Sequence, residues 1–180
     1  MTSPHVTRAA ALGSTPSIAD QMIAELVVES GATRRVLERV PEDRLSWKPH
    51  PKSMSLGQLA LHVAQLPLGI TRLVEPLSTE VPVVPLDEPA SRAEILDALE
   101  RSVAYATERL TAWSDEDLEA QWTMTQDGVV LITRPRGAML RSLMLNHTYH
   151  HRGQLTVFLR LLDVPLPPIY GPTADENPFA

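Results

Sequence analysis

Cysteine is absent from the 180-residue chain. Its absence excludes disulfides, thiolate metal ligands and a cysteine nucleophile, so any thiol chemistry needs a thiol from outside the chain. Hydrophobic residues make up 43% of the sequence and charged residues 21%, which is typical of a globular protein. We expect one domain at residues 17–180, preceded by a flexible N-terminal segment at residues 1–16.

Long hydrophobic runs and blocks of basic residues are missing as well. No apolar run approaches the roughly 20 residues that a membrane-spanning helix needs. The N-terminal sequence "MTSPHVTRAAALGSTPS" is too weakly apolar for a secretory signal. The net charge is −6, and no cluster of Lys and Arg provides the basic face that nucleic acids require. These features predict a cytoplasmic protein that binds neither membranes nor nucleic acids.

Four segments carry apolar residues at helical spacing, and proline-rich stretches separate them. The spacing predicts helices over residues 17–40, 55–77, 91–113 and 135–162. Ser17, Ser55 and Ser91 each precede Asp, Gln or Glu by three residues, which is the arrangement of a capping box. Pro67 lies inside the second segment and is expected to kink that helix. Four amphipathic helices predict an all-α fold, namely a four-helix bundle.

A short β-hairpin is predicted between the third and fourth helices. In "WTMTQDGVVLIT", two β-prone runs flank Asp127 and Gly128, a pair that favours the tight turn of a hairpin. A two-stranded ribbon is marginal in water, so we expect it to pack on the helices. The linker at residues 78–90 is long enough to cross the bundle, and simple up-and-down topology is therefore left open.

Three histidines lie in the sequence "NHTYHHRGQ" at residues 146–154. On a helical wheel, His147 and His151 fall within roughly 60° of the centre of the apolar stripe, one turn apart. His150 falls at the edge of that stripe. His62 occupies a similar central position in the second helix. The pattern therefore predicts that three imidazoles face the interior of the bundle.

Two interpretations of these histidines remain open on spacing alone. A lone His on an apolar face is usually a hydrogen-bonded core residue, because an unpaired buried polar group costs about 1–3 kcal/mol. Three imidazoles need several partners, and the apolar stripe offers few. A divalent cation removes this difficulty, since neutral imidazole is a good metal ligand. Two His at i and i+4 can reach one metal, and a third can come from a facing helix.

The chain resembles the DinB/YfiT-like family. The sequences "KSMSLGQLALHVAQLP" and "NHTYHHRGQL" carry the resemblance, and the tail "LLDVPLPPIYGPTADEN" extends it over residues 17–177. It implies a four-helix bundle, commonly dimeric, in which His62, His147 and His151 hold one divalent metal and His150 lies at the rim. Relatives in this family include thiol transferases that use bacillithiol and a mycothiol-dependent isomerase.

The leading functional hypothesis is transfer of a low-molecular-weight thiol to a small electrophile. An open three-His site can lower the pKa of a bound water or thiol. Thr148 stands where zinc proteases of the HExxH type place their glutamate base, which disfavours that mechanism. Zinc or nickel suits nitrogen ligands of this kind. The alternatives are a metal-dependent hydrolase and a non-catalytic metal-binding dimer.

Other residues on the fourth helix were assigned supporting roles. Gln154 points inward near His151, where it either orients that ligand or packs in the core. Tyr149 and Arg152 project to the opposite face beside Leu145, and this face is less polar than a solvated surface. We expect it to be either a homodimer surface or a surface that the hairpin covers.

Overall fold

The computed structural model describes residues 15–179, and residues 1–14 of the predicted flexible segment lie outside this part. Its elements in chain order are α1 (Ile18–Leu37), a 3-10 turn (Glu42–Arg44), α2 (Leu56–Val74), β1 (Ser78–Glu80), α3 (Arg92–Ala112), α4 (Asp115–Glu119), β2 (Gln121–Gln126), β3 (Val129–Pro135), α5 (Arg136–Met139), a π-helical segment (Leu140–Asn146) and α6 (His147–Leu161). The last three elements form one continuous helix. Each end of the four predicted helices lies within three residues of its prediction.

The predicted caps begin the first three long helices. Ser17 and Ser55 form complete capping boxes with the third residue of α1 and α2. Ser91 accepts a hydrogen bond from the Glu94 amide, but the Glu94 carboxylate accepts from the Ala90 amide rather than from Ser91. Each cap satisfies backbone N–H groups that have no partner within the helix, which explains why the starts were predictable from local sequence.

Helix α2 continues through Pro67, and α3 satisfies a backbone group beside it. The Leu68 amide donates to the Ser102 hydroxyl on α3, at 2.8 Å. The Thr71 hydroxyl donates to the Pro67 carbonyl, at 2.6 Å. Proline removes one helical hydrogen bond, and these two contacts hold the backbone next to it in place. The Leu68–Ser102 contact also fixes the level at which α2 and α3 face one another.

The structure is mostly helical, as predicted, and it adds a small three-stranded sheet in the order β1-β2-β3. Strands β2 and β3 form the predicted hairpin, and Asp127 and Gly128 have φ of 50° and 77°, as its tight turn requires. The third strand was not predicted. Strand β1 lies in the linker and pairs in parallel with β2, with Ser78 opposite Thr123. Three residues are too few to show a periodic pattern, so this pairing had no clear signal in the sequence.

Two hydrophobic clusters build the core. One joins the C-terminal end of α1 to the first half of α2, α3 and the end of α6. The other joins the start of α1 to the end of α3, the π-helical segment and Trp122 of β2. Along the last helix, the histidines fall between residues of one cluster and residues of the other. No helix in the described part of the chain has the length and apolar character of a membrane span.

The face that bears Leu145, Tyr149 and Arg152 is covered within the chain: Leu145 packs in the cluster that includes Trp122 of the hairpin, and α1 and the C-terminal tail meet at Arg152. Leu145 and Arg152 are each 1% exposed. The Arg152 guanidinium lies 2.7 Å from the Glu29 carboxylate of α1 and donates to the Tyr170 hydroxyl in the C-terminal tail. This face therefore gives no support to a dimer surface. The homodimer stays a prediction.

Candidate metal centre

The structure brings together the three histidines that the sequence singled out. His62 comes from α2, and His147 and His151 come from the first two turns of α6. One ring nitrogen of each lies within 4.8 Å of the other two, and the ring centroids are 4.5–5.4 Å apart. Within residues 15–179, no other group of three or more His, Cys, Asp or Glu side chains comes close enough to hold an ion.

A π-helical segment immediately precedes the His147–His151 pair. A π-helix has more residues per turn than an α-helix. A helical wheel with α-helical spacing therefore places Leu140–Asn146 on the wrong faces relative to α6. The two histidines themselves lie in regular α-helix, where i and i+4 stack on one face. The prediction that His147 and His151 lie on one face of a helix is therefore confirmed, although the helix before them is irregular.

Gln154 determines which nitrogen of His151 faces the triad. The His151 Nδ1 atom lies 2.7 Å from Gln154 Oε1, which can only accept a hydrogen bond. Nδ1 therefore carries the proton, and Nε2 keeps its lone pair. That Nε2 lies 2.7 Å from Nε2 of His147. Of the two roles that the sequence left open for Gln154, orientation of His151 is the one that the contacts support.

Each tautomer of His147 carries a cost in the absence of a cation. If Nε2 donates to His151, the buried Nδ1 is left without a partner of good geometry. If Nδ1 instead carries the proton towards the Leu143 carbonyl, two lone pairs face each other across 2.7 Å. A divalent cation between the rings removes both costs, since it accepts both lone pairs. The residues present therefore fit a metal ion.

Burial keeps the three imidazoles neutral. Burial, together with positive charge on His151 and His147, lowers the pKa of His62 to about 4. Burial likewise lowers the pKa of His147 and of His151. Metal ligands must be deprotonated, so the site is ready to bind an ion at neutral pH without first releasing protons.

The shifted pKa of His62 predicts an acid-sensitive metal-free protein. Between the usual pKa of 6.5 and the folded value of about 4, the unfolded chain binds more protons than the folded chain. The free energy of unfolding should therefore fall as the pH drops through this window. We expect urea unfolding with EDTA to show a smaller fall in His62→Leu than in wild type. His50→Leu, at an exposed loop position, should keep the wild-type fall; equal falls in all three proteins would contradict the assignment.

A cavity of about 550 Å³ opens beside the triad. His62 and His147 lie at its wall, and the remaining wall is mostly apolar, with Leu66, Gly69, Leu73, Val83, Ala98 and Ser102 among its residues. A volume of this size suits a small organic molecule. The linker residues 82–85 were not predicted to line a site. The sequence feature that could have indicated them is the apolar run "VPVVPL", in a segment where a polar loop is usual. Val83 in this run is 94% exposed to solvent.

The residues next to the triad provide few candidates for a base. The Thr148 hydroxyl is buried and donates to the Met144 carbonyl at 2.6 Å, so it faces the backbone of its own helix. His150 is exposed, and its ring centroid lies 4.9 Å from that of His151. This places His150 at the rim, as the sequence predicted.

Comparison with known families gives a match over nearly the whole chain. The profile of the DinB family matches residues 13–177. The chain belongs to the DinB family. Two relatives of this DinB-family chain are uncharacterized proteins of Bacillus subtilis strain 168. YrdA is 27% identical over 87% of this chain and 90% of its own length, and YjoA is 25% identical over 78% and 88%.

Solved structures show the same fold. A DinB-like protein from Bacillus cereus ATCC 10987 has a TM-score of 0.67 at 24% identity, covering 87% of this chain and all of its own. The Bacillus subtilis YjoA structure has a TM-score of 0.64 at 19% identity, covering 83% and 96%. At these identities the comparison establishes that this DinB-family chain shares their fold, and the chemistry must be argued from its own residues.

Proposed function

We propose that this DinB-family chain is a divalent-metal-dependent enzyme that transfers a low-molecular-weight thiol to a small electrophile. The observation that carries the proposal is the meeting of three neutral imidazoles, two of which, His62 and His147, lie at the wall of a mostly apolar cavity. No carboxylate of the described residues joins the three histidines, so coordination positions remain for a ligand. The donor set of three imidazole nitrogens favours zinc or nickel.

Each residue of the centre has a separate task. His62, His147 and His151 hold the ion, and Gln154 fixes the tautomer of His151 through Nδ1. A bound divalent ion supplies Lewis acidity, which lowers the pKa of a thiol so that thiolate is available at neutral pH. The mostly apolar cavity beside His62 and His147 would hold the organic part of the substrates.

The reaction needs no cysteine in the chain, because the sulfur comes from the cosubstrate. The thiol loses its proton to solvent, and its sulfur forms a bond to the electrophilic carbon. The bond from that carbon to its leaving group breaks, and the leaving group departs with the electron pair. The products are a thioether and the acid of the leaving group. Thr148, which faces the backbone, takes no part.

The bundle architecture, the oligomeric state and the location belong to the proposal as well. We propose that the four long helices form the four-helix bundle that the resemblance to DinB-like proteins implies. The packing of α2 against both α3 and α6 supports this arrangement. The homodimer and the cytoplasmic location stay predictions.

A metal-dependent hydrolase is the second candidate, and one observation favours it. The exposed imidazole of His150 lies beside His151, where it could accept a proton from an attacking water. A non-catalytic metal-binding dimer is the remaining alternative, and it requires neither the cavity nor an open coordination position.

A thiol panel tests the proposal. The zinc- and nickel-loaded protein is incubated with bacillithiol, mycothiol and simpler thiols, with chlorodinitrobenzene as the electrophile, and thioether formation is followed by absorbance. We expect thiol-dependent turnover that EDTA removes and that continues below the free thiol's usual pKa of about 8.5. Equal rates with and without metal across the panel would contradict thiol transfer. Ester hydrolysis that requires His150 would then favour the hydrolase.

A further inference from the structure

Two arginines on the cavity wall lack a carboxylate partner within residues 15–179. The Arg72 guanidinium lies 4.9 Å from the ring centroid of Tyr105, and the Arg101 side chain has no hydrogen bond or ion pair with the described residues. Asp97, one turn before Arg101, does not pair with it. Among the arginines of residues 15–179, only these two and Arg134 neither donate a side-chain hydrogen bond nor form an ion pair, although the chain has a net charge of −6.

The positions of the two arginines define an axis that leads away from the triad. The Leu68–Ser102 hydrogen bond places Arg101, the neighbour of Ser102, near the level of Leu68. Leu68 is six residues beyond His62 in α2, which corresponds to about 9 Å along the helix axis. Arg72 is ten residues beyond His62, or about 15 Å. A ligand that reaches from the histidines to the arginines must therefore be elongated.

We propose that Arg101, together with Arg72, binds the anionic head group of an elongated ligand whose apolar body fills the cavity. Guanidinium groups match carboxylates and phosphates in charge and in fork geometry, and either head group fits this chemistry. The other end of the ligand reaches His62 and His147 at the same cavity wall. This inference rests on the proposed thiol transfer. It predicts that the cosubstrate is a thiol with a carboxylate or phosphate distant from the sulfur.

Calorimetric titration of the full chain with octanoate, octyl phosphate and octanol tests the head-group site. Zinc-loaded and zinc-free protein are both used, so the result does not depend on turnover. We expect both anions to bind at least fivefold more tightly than octanol in both forms. Octanol binding as tightly as the anions would overturn the inference, and the ratio of the two anion affinities identifies the preferred head group.

Substitution of the arginines locates the anion. Arg101→Gln should weaken octanoate binding about three- to fivefold, as for an exposed charge contact, and the double variant with Arg72→Gln about tenfold or more. Arg134→Gln, on the hairpin and equally without an ion partner, is the matched control and should bind as wild type does. Unchanged affinity in Arg101→Gln would show that the head group binds elsewhere. If octanoate binding depends on the arginines but the chain does not bind zinc, the head-group site is supported and the proposed enzyme is contradicted.

A cavity-filling variant locates the apolar body of the ligand. A Cβ added at Gly69 would meet no atom within 4 Å, so Gly69→Leu should fold and project its side chain into the cavity. We expect at least fivefold weaker octanoate binding with zinc affinity unchanged. Gly31→Leu makes the same change at an exposed, equally open position of α1 and should leave both affinities unchanged. Wild-type octanoate affinity in Gly69→Leu would exclude this cavity as the site.

Discussion

His151→Ala abolishes the zinc-dependent rise in melting temperature and reduces thiol-dependent turnover at least about 100-fold; this is the largest functional effect that we expect. In the wild type, zinc at about 100 times its Kd stabilises the fold by about 2.7 kcal/mol. For a domain of this length, that energy corresponds to a rise of roughly 5–10 °C. Without His151, only the imidazoles of His62 and His147 remain to bind the ion. Gln154 Oε1 also loses the hydrogen bond that His151 Nδ1 donates to it.

The His151→Ala fold itself should survive, because the imidazole is only partly buried and belongs to neither apolar cluster. The measurement is thermal unfolding with zinc and with EDTA, together with turnover on the thiol panel. His150→Ala provides the control on the same helix: its side chain lies at the rim, and it should keep the zinc shift and most of the activity. A full zinc shift in His151→Ala would show that the three histidines do not hold the ion.

Arg152→Ala should cause the largest loss of stability, about 3–5 kcal/mol in the free energy of unfolding. The Arg152 side chain is 2% exposed and the paired Glu29 side chain 15%. The guanidinium also donates to the Thr33 hydroxyl at 3.2 Å and to the Tyr170 hydroxyl at 2.6 Å. Its removal leaves the Glu29 carboxylate largely buried with one remaining donor, the Tyr170 hydroxyl. Breaking one side of a buried pair costs far more than its net contribution to stability.

Urea unfolding of the zinc-free protein measures this loss. Arg34→Ala is the matched control, because its ion pair with Glu38 is exposed, at 48% and 46%, and should contribute less than about 1 kcal/mol. Tyr170→Phe removes one partner of Arg152 and should have an intermediate effect. If Arg152→Ala and Arg34→Ala lower stability equally, the buried network does not hold the C-terminal tail to α1.

Local signals in the sequence were sufficient for most of the helical fold. Ser17 and Ser55 predicted helix starts because a capping box lies within four residues of chain. Asp127 and Gly128 predicted the hairpin because a tight turn depends on the conformations of two residues. The His147–His151 pair followed from i, i+4 spacing, which any α-helix places on one face. Only the stripe position and the family resemblance connected His62 to this pair.

The remaining features depend on contacts between distant parts of the chain, which no local pattern encodes. Strand β1 exists because the linker reaches β2, more than 40 residues later. Arg152 is buried because α1 and the C-terminal tail meet over it, although its neighbours in sequence suggested either a dimer surface or a surface covered by the hairpin. The cavity wall forms where residues 82–85 pass beside α2 and α3. The helices, the hairpin and the candidate ligands could therefore be predicted from local patterns, since these features depend on short-range geometry. Tertiary packing decided what covers each helix face and which residues surround the histidines, because side chains far apart in sequence compete for the same surfaces.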